Sequence, residues 1–163
     1  TGVQTCALPI YIMKVRFGER YEFVKEIDES ALNAQMPNTI LQPLVENCIK
    51  HGLKDVTQNG RITICVKDKA DFIHITITDN GTGFDPESRT QILNMTKTGA
   101  QGVSIKNKEH VSSGLINVIS RLQIYFKSQE VFDITSNPEG SGTQFSIKIF
   151  KSNSENNEFP KFL

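Results

Sequence analysis

With 163 residues, 37% hydrophobic and 22% charged, the chain has the make-up of one soluble domain able to bury an ordinary core. Lys plus Arg and Asp plus Glu each number 18, so the formal net charge is zero. That balance offers neither the clustered basic surface that nucleic acid needs nor the acidic excess of a disordered tail. Cys6, Cys48 and Cys65 form no CxxC pair and no zinc-site spacing, which fits a reducing compartment better than a disulfide framework. No apolar run reaches the roughly 18 residues of a membrane span, and the first residues lack a signal peptide's basic start and apolar stretch. The chain therefore reads as cytoplasmic, with any membrane anchor outside it.

In chain order, residues 1–10, TGVQTCALPI, differ from the rest of the chain and resemble the translated read of a sequencing-library adapter. They are set apart as a non-native or disordered segment. Residues 11–17 read as the end of a helix stopped at Gly18. Tyr21, Phe23 and Ile27 mark a short strand over Arg20–Ile27, with a linker to Pro37. A helix is predicted from Thr39 to His51. Leu41, Leu44, Val45, Cys48 and Ile49 fall at i, i+3, i+4, i+7 and i+8 as one apolar stripe, and Gly52 is placed to end it. Ile62, Ile64 and Val66, then Ile73, Ile75 and Ile77, alternate with polar residues on either side of the short polar segment Lys67–Asp71. This predicts an antiparallel hairpin with one buried face, and it puts His74 on the solvated face. Periodicity is lost from Phe84 to Ser113, a polar stretch read as a lid. A second amphipathic helix carries Leu115, Val118, Ile119, Leu122 and Phe126, and strands near Val131–Ser136 and Thr143–Phe150 close the domain. Residues 151–163 form a polar, flexible tail. Helices on one face of a mixed, mostly antiparallel sheet give an α/β (α+β) two-layer sandwich.

Four segments carry candidate chemistry, and each has an ordinary structural reading beside it. In Leu41–Gly52, Asn47, Lys50 and His51 form a polar patch beside the apolar stripe. An Asn carbonyl oxygen suits Mg²⁺, and Lys50 suits phosphate; the alternative is a solvated helix face. Asp79-Asn-Gly-Thr-Gly-Phe84 follows a strand directly. A buried Asp there can accept from an exocyclic amine while glycines let backbone approach a ligand; otherwise Asn-Gly is a hairpin turn. Ser112-Ser-Gly-Leu-Ile-Asn117 opens a helix, where free N–H groups favour an anion, or where Ser is a plain N-cap. Gly140-Ser-Gly-Thr143 opens the last strand as a small-residue turn near a ligand, or as a simple β-turn after Pro138.

In this order and spacing the four segments resemble the N, G1, G2 and G3 boxes of the GHKL (HATPase_c) ATPase superfamily, over roughly residues 11–150. Arg16-Phe-Gly-Glu-Arg20, Leu41-Gln-Pro-Leu-Val-Glu-Asn47, Lys50-His51-Gly52, Gly114-Leu-Ile-Asn-Val118 and Arg121-Leu122 look like the LytS/YesM-type sensor histidine kinases. The resemblance implies the Bergerat fold, with ATP under a mobile lid. It implies that Asn47 holds Mg²⁺ on the ATP phosphates and that Lys50 and His51 contact phosphates and sugar. Asp79 would receive the adenine amino group, with Gly81 and Gly83 as the G1 glycines. Gly114 and Leu115 would form the G2 turn at the phosphates, and Gly142 and Thr143 the G3 turn, with Thr143 near adenine. Many relatives carry a glycine where this chain has Ser112, which bears on lid closure and phosphate handling.

The hydrolysing branches of the superfamily place a catalytic Glu where this chain has Pro43, which cannot be a base. Glu46 lies one residue from Asn47, about 100° around the helix. Phosphoryl transfer to a protein side chain is therefore favoured over hydrolysis. Neither His51, His74 nor His110 resembles the family's acceptor, which sits on an upstream dimerising helix pair. The resemblance thus implies a protein-histidine kinase fragment of a two-component phosphorelay. Its partners would be ATP, the upstream helices of a homodimeric kinase and a response regulator, with no nucleic acid. The full-length kinase would be anchored in the bacterial inner membrane. An anti-sigma-type serine kinase and a nucleotide-free pseudo-kinase module stay open as alternatives.

Overall fold

The structure, a computed structural model, describes residues 7–18, 20–98, 113–128 and 130–151. Its elements in chain order are α1 (Ala7–Phe17), β1 (Glu22–Ile27), α2 (Leu41–Asn47), β2 (Arg61–Asp68), β3 (Phe72–Asp79), α3 (Pro86–Thr98), α4 (Ser113–Phe126), β4 (Phe132–Ser136) and β5 (Thr143–Phe150). The segment set apart at the N-terminus is split: residues 7–10 open α1, and residues 1–6 lie outside the described residues.

The strands form one sheet in the order β1-β2-β3-β5-β4. β1 runs parallel to β2, and every other pairing is antiparallel. A parallel neighbour needs a crossover, and the segment carrying α2 supplies it. The expected mixed, mostly antiparallel sheet with helices on one face is what forms. Alternation decides which side they cover: Ile62, Ile64 and Val66 of β2, Ile73, Ile75 and Ile77 of β3, and Phe145, Ile147 and Ile149 of β5 are all buried. They meet Leu41, Leu44, Val45 and Cys48 of α2 and its extension, and Leu115, Val118, Ile119 and Leu122 of α4, in one core. Each isoleucine removed from water in this way contributes about 1.5–3 kcal/mol.

Three expectations change. The first helix starts at Leu41 rather than Thr39, because Thr39 adopts a left-handed backbone (φ 62°) that a β-branched residue does not carry into an α-helix. The α-helix also stops at Asn47: Cys48–Gly52 is one π-turn, closed by Leu53 N–H reaching Cys48 O at 2.7 Å. Part of the stretch read as a lid without periodicity is helical. α3 begins at Pro86, suited to a first helical position, and Asp85 accepts from Ser88 N–H at 2.9 Å as its cap. Ile92 anchors α3 in the core, and Arg89 Nε donates to Ile134 O of β4 at 2.9 Å. The rest of that stretch, residues 99–112, including Ser112 and His110, lies outside the described residues.

His74 is not simply solvated. It is half-buried, its Nε2 lies 2.8 Å from Ser146 Oγ, and its ring meets Phe72 edge-on. Burial, then Lys148 and Lys69, depress its pKa.

Candidate nucleotide site

Asp79 occupies the last inward position of β3, continuing the row Ile73, Ile75, Ile77. The same alternation that builds the core thus delivers a carboxylate to its edge, where it is 1% exposed. A buried carboxylate demands donors, and two backbone N–H groups supply them. Gly81 N–H donates to Oδ1 at 2.9 Å, closing an Asx turn, and Thr143 N–H of β5 donates to the same oxygen at 3.3 Å. Burial raises the Asp79 pKa above the usual carboxylate value, and the Gly81 and Thr143 N–H groups partly oppose this.

Glycines make this corner possible. A Cβ at Gly52 would sit 2.7 Å from the Asp79 carboxyl carbon. One at Gly81 would overlap the Gly52 carbonyl oxygen, and one at Gly142 the Asp79 carbonyl oxygen. The wider π-turn delivers the Gly52 carbonyl to Thr82 N–H at 3.0 Å. Asn137 ties the last turn to the strand end, its Nδ2 donating to Asp79 O and Ser141 O, both at 3.0 Å. Three segments distant in sequence (the end of the α2 helix, the turn after β3 and the start of β5) therefore converge on one carboxylate.

Of the residues singled out in sequence, Asp79, Gly81, Gly142 and Thr143 meet here, and Gly83 approaches Gly142 with φ +85°. Asn47 is nearly buried, at 5% exposure, one residue before Cys48. Lys50 and His51 are exposed, because the π-turn alters the helical phase beyond Asn47. Lys50 pairs with Glu46 at 3.3 Å. Glu46, hydrogen-bonded first by Gln42 and then by Lys50, is held below its usual pKa and stays ionised. Gly114 and Leu115 lie in the first turn of α4, and the Leu115 side chain is wholly in the core, so only its backbone is offered to a ligand. Sequence reading missed Asn137, which is 58 positions from its partner Asp79.

A polar cavity of about 460 Å³ lies on the opposite, open face of the sheet, lined by Arg61, Thr63, Cys65, Thr76, Thr78 and Gln144 among others. Its lining also takes in Asp79, Asn80, Asn137, Gly140 and Ser141, so it reaches the two turns that border the Asp79 corner. Among the described residues no group of three or more His, Cys, Asp or Glu side chains is arranged to hold a metal ion.

Residues 33–153 match the family described as the histidine kinase-, DNA gyrase B- and HSP90-like ATPases. The chain belongs to that family, and the Bergerat fold and ATP as ligand class come with it. Within the family it is of the LytS/YesM sensor histidine kinase type. It is 30% identical over 154 residues to the sensor protein LytS of Staphylococcus epidermidis, covering 94% of this chain and 24% of LytS. It is 33% identical over 138 residues to the sensor histidine kinase YesM of Bacillus subtilis, covering 85% of this chain and 21% of YesM. The chain therefore spans less than a quarter of these relatives. In fold it is similar to the catalytic domain of the histidine kinase ThkA, with a TM-score of 0.60 at 15% identity, covering 93% of this chain and 94% of that one.

Proposed function

We propose that this domain binds Mg-ATP at the Asp79 corner and, in the full-length kinase, supplies the γ-phosphate to a histidine on dimerisation helices outside this chain. The phosphoryl group would then pass to a response regulator. The observation that carries the reading is the Asp79 carboxylate, buried yet ringed by backbone donors and three glycines. A purely structural turn gains nothing from a buried charge at that cost.

In this reading Asp79 accepts from the adenine amino group, while Gly81, Gly83, Gly142 and Thr143 line the base. Gly114 and the Leu115 backbone, with Lys50 and His51, attend the phosphates and sugar. Asn47 would hold Mg²⁺, whose bound charge would offset that of the phosphates. With no protein cage of acidic ligands among the described residues, the ion would depend on phosphate oxygens and water for its other contacts, as Mg²⁺ commonly does. Pro43 and the engaged Glu46 leave the helix without a base for water, which favours transfer to a side chain. The functional domain is residues 11–150, with residues 1–10 non-native and residues 151–163 a tail. No described helix is long and apolar enough to cross a membrane, and an inner-membrane anchor would belong to the rest of the kinase.

Asp79→Asn tests the reading. Its Oδ1 keeps the Gly81 and Thr143 donors, so the fold persists, but an amide N–H₂ now faces the adenine amine. Affinity for a non-hydrolysable ATP analogue is expected to fall about 10- to 100-fold. Titration calorimetry beside a thermal melt checks this, and unchanged affinity in a folded variant contradicts it.

A further inference from the structure

Asn137 follows β4 and precedes Pro138, an Asn-Pro pair of the kind that starts a turn. Its Oδ1 accepts from Glu139 N–H at 2.9 Å, closing an Asx turn, and its own N–H donates to Gly142 O at 3.0 Å across the loop between β4 and β5. Nδ2 donates twice, to Ser141 O within the loop and to Asp79 O outside it, both at 3.0 Å. The amide fits only this way round: turned over, its oxygen would face two carbonyl oxygens and its NH₂ would face an N–H. The bond to Asp79 skips a strand. The sheet runs β3-β5-β4, so a side chain at the end of β4 reaches past β5 to the end of β3. Gly142 leaves the way clear, since a Cβ there would overlap the same Asp79 carbonyl oxygen.

We infer that Asn137 is a positioning residue for base recognition: it fastens the turn that opens β5 to the backbone of Asp79, and so sets the Thr143 N–H against the Asp79 carboxylate. This rests on the proposed nucleotide site and deepens it. Two N–H groups hold Oδ1 and fix the rotation of the carboxylate that the site offers to an exocyclic amine. Gly81 is two residues from Asp79 and moves with it, whereas Thr143 is 64 residues away. Thr143 also lies beyond the last paired residues of β3 and β5, Thr78 and Gln144, so the ladder between those strands does not hold it. Its bond to Oδ1, at 3.3 Å, is already long and tolerates little further drift. The Asn137 bridge supplies the missing fastening. A nucleotide without the amine gains nothing from the rotation it secures.

Asn137→Ala removes the whole clamp. Asn137→Asp keeps the Asx acceptor and loses both Nδ2 donations, and it carries the same readouts should the alanine variant fail to fold. Two readouts are taken on the whole chain, with thermal melts confirming folding. The first is amide hydrogen exchange by NMR without nucleotide: Thr143 is expected to exchange about three- to tenfold faster in both variants, with Ile64 and Ile75 unchanged. The second is affinity for a non-hydrolysable ATP analogue and for its purine riboside counterpart, which lacks the exocyclic amine. Both variants are expected to lose about three- to tenfold for the first and less than about twofold for the second, so the preference narrows. An equal loss for both analogues, as a merely structural turn would give, overturns the inference. Unchanged Thr143 exchange, or wild-type affinity and preference in the variants, overturns it too. So does an aspartate variant that behaves as wild type, since the Asx turn would then carry the effect. If wild type binds neither analogue, or both alike, the reading of Asp79 as base acceptor fails, and the role of Asn137 with it.

Discussion

At the scale of the residue, Asp79 is a burden to the fold that its neighbours only partly relieve. Its pKa is raised on folding, so ionisation costs stability: the native state is favoured most below the unfolded carboxylate pKa, and that advantage is lost as pH rises through the folded value. Asp79→Asn is accordingly expected to match or exceed the wild-type melting temperature near neutral pH even as nucleotide affinity falls. Gly81 makes the opposite prediction. An added Cβ meets the Gly52 carbonyl, which is backbone already bonded to Thr82 N–H and cannot turn away cheaply. Gly81→Ala is expected to cost about 1–3 kcal/mol in denaturant unfolding and to weaken ATP-analogue binding as well; a wild-type unfolding midpoint would refute the close packing. Asp79 and its glycines were legible in sequence because a strand ending in Asp-Asn-Gly-Thr-Gly is a local pattern. Asn137 was not, because its partner is brought near only by tertiary contacts.

At the scale of the element, strict alternation in β2, β3 and β5 and the stripe of α4 carried enough information to place the sheet, its buried face and the second helix. The pairing of β1 with β2 in parallel was not readable from β1, whose residues are mostly exposed and show little alternation. α3 was hidden for a related reason: it buries Ile92 and Ser88 but carries few other apolar residues, so its periodicity is faint. What holds its start is local, the Asp85 cap and Pro86. Asp85→Ala is therefore expected to destabilise α3 by about 1 kcal/mol, read as faster amide exchange across Arg89–Leu93 with little change in β2 and β3. Exchange rates unchanged in α3 would show that the Arg89 contact to β4, not the cap, sets its stability. The π-turn at Cys48–Gly52 had no signature beyond Gly52, yet it sets how Asn47, Lys50 and His51 are displayed.

At the scale of the whole molecule, the sheet has two unlike faces. One is closed by helices and carries the Asp79 corner at its margin; the other is open, polar and concave, with the 460 Å³ cavity over Thr63, Thr76 and Gln144. Family membership makes ATP the ligand class, and the proposed adenine-accepting carboxylate lies on the helix side. Amide chemical-shift mapping during titration with a Mg²⁺-bound, non-hydrolysable ATP analogue separates the two faces most directly. Shifts are expected to concentrate at Asn47, Gly52, Gly81, Gly83 and Thr143, while Thr63, Cys65 and Thr76 stay still. Shifts centred on those three open-face residues, with the Asp79 corner silent, would contradict nucleotide binding at Asp79.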